Sequence, residues 1–189
     1  MGVNDQLPIL YRKDEWKIST QTVIFWQSEI KGTKTFDGGW CWGYNWVMFE
    51  STSDSNEKVI VMNLHFHPDI EDYRDSRTAD MDAFNKAIKD LQSKYAGVPI
   101  VITGDYNTTV THTRCEGLED GWTEDIISDL SIQCSSLLTE DNNDKQGIAV
   151  DHICVSYEQA DVVRHRKIYY EAMKKSSDHT PYFADVTLK

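Results

Sequence analysis

The sequence predicts an α/β (α+β) fold, and three observations carry that reading. The first is a pair of near-continuous apolar runs, KVIVMNLHFHP from Lys58 and VPIVIT from Val98. Each is too short for a helix and too apolar for a half-exposed strand, so both read as interior strands. The second is the stretch between them. There Met81, Phe84, Ile88, Leu91 and Tyr95 recur at steps of three and four, which is the stripe of an amphipathic helix. The third is the alternation of Tyr182, Ala184, Val186 and Leu188, the period of a strand. Strand, helix and strand in that order form a βαβ-like unit. The 189 residues contain no repeat, low-complexity tract or linker, and predict one domain over 1–189.

The remaining elements follow in order. Residues 9–18 read as a strand with a polar turn in it, residues 22–28 as a second short strand, and residues 46–51 as a third. Gly32, Gly38 and Gly39 mark the loop before that third strand. Five of the six tryptophans (Trp16, Trp26, Trp40, Trp42 and Trp46) fall in this first quarter, where sheet packing is the default role and a stacking platform for bases the alternative. Asp75 or Ser76 can cap the central helix, with Arg77 near its start, and Gly97 and Pro99 end it. A short helix holding Trp122, Ile126, Ile127 and Leu130 comes next, then an exposed polar loop over 139–147. IAVDHICVS and VVRHRKIYY complete the set of strands before the last one.

Composition narrows the function. A net charge of −12 argues against a protein that lives on unspecific phosphate contacts, which need clustered Lys and Arg. It is compatible with a solvated surface, and with acidic residues that gather a cation for a phosphate substrate. The one dense basic run, Arg164 to Lys167, either faces phosphates or protects an edge strand. No apolar run reaches membrane-spanning length. Residues 1–10 lack the layout of a signal peptide, and Gln6 stands where a myristoylation signal needs Ser or Thr. The compartment is left open between cytoplasm and secretion. Cys41, Cys115, Cys134 and Cys154 match no zinc or haem spacing. Cys154, inside a strand pattern, reads as a buried free thiol, while a Cys115–Cys134 bridge stays open.

The chemistry gathers where strands end. Gly104, Asp105 and Asn107 follow VPIVIT, with the glycine expected to turn the chain. A carboxylate there can hold a metal or take a proton from water, and a carboxamide can bond a phosphoryl oxygen without adding charge. G-D-x-N also makes ordinary Asx turns. Alternation puts Val59, Val61, Asn63 and His65 on one face of their strand. His65 and His67 lack a third ligand at a familiar zinc spacing. Asp151 shares a face with Ala149, Ile153 and Val155, where a carboxylate needs a partner, and orienting a histidine would supply one. Asp178 and His179 stand together before the last strand.

Taken in order, N-L-H at 63–65, G-D-Y-N at 104–107, D-H-I at 151–153 and S-D-H-T-P at 177–181 resemble the endonuclease/exonuclease/phosphatase superfamily, the deoxyribonuclease I-like fold. The likeness extends from about Leu10 to the C-terminus. It implies a four-layer α-β-β-α sandwich of two mixed β-sheets and Mg²⁺-dependent (or Mn²⁺-dependent) hydrolysis of a phosphate ester. Asp105 would activate or orient the attacking water, and Asn107 and His65 would bind phosphoryl oxygens. His179 would be the base or transition-state stabiliser, oriented by Asp151. Asp178, with Asp105, would supply metal-site carboxylates. The substrate would be nucleic acid or a smaller phosphate ester, since the family includes nucleases, deadenylases, inositol-phosphate phosphatases and sphingomyelinases. No protein partner is readable.

One departure accompanies the match. The family begins with a strand ending in Asn and a strand carrying Q-E, whose Glu is the main metal ligand. Glu15, Glu29, Glu50 and Glu57 stand in no such context. The resemblance therefore implies the C-terminal two-thirds of the family domain, N-terminally truncated, with any leader upstream. The alternative function is a catalytically impaired fragment or relic of the fold that acts, if at all, as a binding module.

Overall fold

The structure, a computed structural model, describes residues 7–25, 43–66, 74–107, 132–134, 151–156, 158–167, 179 and 181–189. In chain order the elements are β1 (Trp16–Phe25), β2 (Gly43–Ser51), β3 (Lys58–His65), α1 (Arg74–Lys94), β4 (Ile100–Asp105), β5 (Ile132–Cys134), β6 (Asp151–Ser156), β7 (Ala160–Lys167) and β8 (Tyr182–Leu188). Among the described residues six strands form one sheet in the order β1-β2-β3-β4-β6-β5, and β7 and β8 form a second. The β3–β4 pair is parallel and its neighbours are antiparallel, so the large sheet is mixed. A parallel pair needs a crossover, and α1 supplies it.

Period-two alternation sorts the large sheet into two faces. Tyr44, Met48, Ile60, Met62, Leu64, Ile100, Ile102 and Cys154 form one buried cluster with Phe84, Ile88 and Leu91 of α1. Each such helix residue, fully buried, contributes about 1.5–3 kcal/mol, so the helical stripe anchors the layer. The opposite face carries Val47, Phe49 and Val59, covered by Ile9, Tyr11 and Leu188 of β8. Strand β6 also approaches β7 and β8. The large sheet thus lies between α1 and the second sheet, the α/β sandwich expected. The helix expected around Trp122–Leu130 and the loop over 139–147 lie outside the described residues. Among the described residues no helix is long and apolar enough to cross a membrane.

Local expectations change at several points. α1 begins at Arg74, so Asp75 and Ser76 stand inside its first turn rather than capping it. The two strands read at 9–18 and 22–28 are one strand from Trp16 to Phe25. The chain before it turns at Arg12, whose carbonyl accepts the N–H groups of Glu15 and Trp16. Among the described residues β1 is an edge strand paired only with β2, so a polar middle, Ser19 to Thr22, costs it little. β5 had no sequence signal, being three residues held at the other edge by β6. Cys154 is disulfide-bonded rather than a free thiol.

Candidate active site

Strand register builds the site. Gly43, His65, Asp105 and Asp151 are successive Cα partners across β2, β3, β4 and β6. Register partners share a face and stand about 4.8 Å apart, so the ionisable side chains form a row. Four residues earlier on β3 and β4 are Val61 and Val101, which pack toward the second sheet. The row therefore faces the interior of the sandwich at its open end. Between the valines and the row lies a polar tier of partners, Asn45, Asn63 and Thr103. Thr103 Oγ1 donates to Met62 O at 3.2 Å and to Asn63 Oδ1 at 3.2 Å. Asn63 Nδ2 donates to Pro8 O at 3.4 Å, and Asn45 Nδ2 to Leu7 O. Asn45 and Thr103 escaped the sequence reading, although each faces Asn63 in the ladder.

Gly104 does not turn the chain. It stays in β4 with φ +137°, and a Cβ there would stand 2.0 Å from Leu64 O. Its role is close approach of two parallel backbones. The turn falls at Asn107, a non-glycine residue at φ 49°, a region Asn tolerates better than most. Asn107 N–H donates to Asp105 Oδ1 at 2.7 Å, and Asn107 Nδ2 donates to Phe66 O at 2.8 Å. Phe66 N–H donates to Asp105 O at 3.0 Å. These bonds lock the ends of β3 and β4 together and fix one Asp105 oxygen.

Between Asp105 and Asn107, Tyr106 points to the other face. It is buried, packed edge-on against Phe66 and His152, and its hydroxyl donates to Cys154 Sγ at 3.3 Å. Burial pushes its hydroxyl pKa well above the usual tyrosine range.

His179 enters from the segment before β8. Its Nδ1 lies 2.6 Å from Asp151 Oδ2, and its Nε2 lies 4.0 Å from Asp105 Oδ2. His65 Nε2 is 3.6 Å from the same Asp105 oxygen. A carboxylate on Nδ1 fixes the tautomer with the proton there, leaving the Nε2 lone pair toward Asp105. One water oxygen can sit about 2.7 Å from both Nε2 and Oδ2 and donate a proton to each. The structure thus brings together His65, Asp105, Asn107, Asp151 and His179; Asp178 and His67 lie outside the described residues.

Asp105, Asp151 and His179 offer donor atoms within 4.8 Å of one another, a group able to hold a metal ion. At the 2.0–2.1 Å bonds of Mg²⁺, octahedral neighbours stand about 2.9 Å apart. The Asp151–His179 contact at 2.6 Å is shorter and is a hydrogen bond. A hard cation would therefore take carboxylate oxygens here, Asp105 Oδ2 foremost, with water or phosphate completing its shell. That donor set fits Mg²⁺, which is bound through one or two carboxylates.

No protein-family model matches the sequence, and no curated protein matches it. Solved structures match in fold. The human Nocturnin catalytic domain with bound sulfate anion superposes with a TM-score of 0.69 at 15% identity, over 94% of this chain and 62% of that one. An endonuclease/exonuclease/phosphatase family protein from Bacteroides thetaiotaomicron gives 0.65 at 20% identity, over 93% and 65%. An endonuclease/exonuclease/phosphatase from Beutenbergia cavernae gives 0.69 at 15%, over 90% and 45%. The fold is that of the endonuclease/exonuclease/phosphatase proteins. This chain spans less than two-thirds of each of these three.

Proposed function

We propose that this chain is a metal-dependent phosphoesterase that hydrolyses a phosphodiester or phosphomonoester by attack of water. The observation that carries the reading is the short Asp151–His179 bond with Nε2 turned toward Asp105 Oδ2. Hydrolysis of a phosphate ester needs a positioned water, a group that accepts or holds a proton, and donors to the phosphoryl oxygens. In this reading Asp105 orients or activates the water. His179, positioned by Asp151, acts as base or stabilises the transition state. His65 and Asn107 donate to phosphoryl oxygens. Mg²⁺ (or Mn²⁺), held by Asp105 with Asp178, would neutralise phosphoryl charge when bound. The names of the fold relatives support the class, since endonuclease, exonuclease and phosphatase all denote attack on phosphate esters. The sulfate bound by the Nocturnin domain has the shape and charge of a phosphoryl group.

A second reading has its own observation. The metal-capable group among the described residues contains no glutamate, and Glu50 is engaged by Lys17 at 2.7 Å and Lys58 at 3.7 Å. In this reading the fold persists as a catalytically impaired binding module. The two readings part on hydrolysis of bis-p-nitrophenyl phosphate and p-nitrophenyl phosphate by this chain and by an Asp105→Ala, His179→Ala variant. Turnover lost in the folded variant supports the enzyme, and the substrate ratio tells diesterase from monoesterase. Equal rates in two folded proteins reject it.

A further inference from the structure

We propose that Cys134 is the disulfide partner of Cys154, and that this cystine staples the sheet edge beneath the candidate site in a protein that matures in an oxidising compartment. Cys154 is disulfide-bonded and buried. In the β5–β6 ladder the residue directly opposite it is Cys134. Opposed residues of an antiparallel pair have Cα atoms about 4.5–5.5 Å apart. A disulfide accepts about 4.4–6.8 Å, so the ladder presents these two positions at bridging distance. Cys154 itself lies in the buried cluster packed against α1.

The staple has two consequences. Among the described residues β5 is three residues long and pairs only with β6, so few ladder bonds hold it. The covalent link fixes it. It also reaches the site through one residue. Tyr106 donates its hydroxyl to Cys154 Sγ and sits between Asp105 and Asn107, while β6 begins with Asp151. Formation balances simply. Two thiols lose two protons and two electrons and gain one S–S bond, and the acceptor is a disulfide oxidant that becomes two thiols. Such links persist in oxidising compartments and are rare in the cytosol.

The test uses the full chain made under oxidising conditions, digested without reduction and analysed by mass spectrometry. The expected product is a Cys134–Cys154 linked peptide that disappears with dithiothreitol. The bridge closes a loop of roughly 20 residues, so Cys134→Ala, Cys154→Ala, the double variant and the reduced protein should all melt about 6–12 °C lower. The double variant should fall no further than Cys154→Ala, and Cys115→Ala should match the parent. Hydrogen exchange at residues 104–107 and 151–156 should quicken on reduction, with residues 46–50 unchanged. Cys154 linked to Cys41 or Cys115, a free Cys154 thiol, or a Cys134→Ala variant melting with the parent would each overturn the proposal. If Cys154→Ala fails to fold, Cys134→Ala at the sheet edge separates the same outcomes.

Discussion

Gly104→Ala is the perturbation with the most direct structural arithmetic. The new Cβ would stand 2.0 Å from Leu64 O, 2.8 Å from Leu64 N and 2.9 Å from Leu64 C. All three are backbone atoms of the paired strand and cannot swing away. Real Cβ contacts essentially never fall below 3.0 Å, so β3 and β4 must part by at least about 1 Å. That stretches Phe66 N–H to Asp105 O beyond hydrogen-bond range from its present 3.0 Å. The backbone strain of a side chain at φ +137° adds about 1–3 kcal/mol, and each lost ladder bond about 1 kcal/mol. The sum is about 2–4 kcal/mol, a melting-point loss of at least about 4 °C in a domain of this size. Gly97→Ala is the control. Gly97 also has positive φ, +80°, but its Cβ would meet nothing within 4 Å. It should lose about 1 kcal/mol, or 2–4 °C. Thermal melts by circular dichroism, with urea titration alongside, measure both. A Gly104→Ala protein that melts within 2 °C of the parent, or no lower than Gly97→Ala, would refute the close-approach reasoning.

Other perturbations separate chemistry from stability. Asp151→Asn keeps size and removes the charge that holds His179 Nδ1 at 2.6 Å; phosphodiester kcat/KM should fall about 10²–10⁴-fold with little change in melting point, read by steady-state rates beside a thermal melt. Tyr106→Phe should flatten the alkaline limb of stability. The folded hydroxyl pKa is raised, so this stabilisation is whole below the unfolded value near 10 and is lost as pH rises above it. At pH 11 the parent should have lost about 1.4 kcal/mol that the variant retains, read by urea titration at pH 8 and 11. Ile88→Ala, at a fully buried helix position, should lower stability by about 2–5 kcal/mol, shifting the urea midpoint at unchanged slope.

The parts of this fold written in strong periodicities were legible. Phe84, Ile88 and Leu91 of the helical stripe are buried, and the apolar runs became the parallel pair β3 and β4. The row of His65, Asp105 and Asp151 was legible only as separate strand ends, because register is a property of paired strands and not of one segment. Gly104 stands out in the sequence, but its role does not. A glycine's need for φ > 0 looks the same in sequence whether it turns a chain or lets another backbone close in. The Cys154 bond was hidden because β5 is too short to carry a period, so nothing announced Cys134 as its neighbour. The single strand β1 reads as two because edge position, which tolerates Ser19 to Thr22, is set by topology. Asn45 and Thr103 had no motif, and their meaning comes only from facing Asn63 across two strand pairs.

The most direct measurement is the initial rate of bis-p-nitrophenyl phosphate hydrolysis by the chain, stripped with EDTA and then titrated with Mg²⁺. The expected result is a saturable rise from background that EDTA reverses and that Asp105→Ala abolishes while remaining folded. A rate indifferent to Mg²⁺, the same rise in Asp105→Ala, or no hydrolysis by a folded chain would contradict a metal-dependent phosphoesterase built on Asp105, Asp151 and His179.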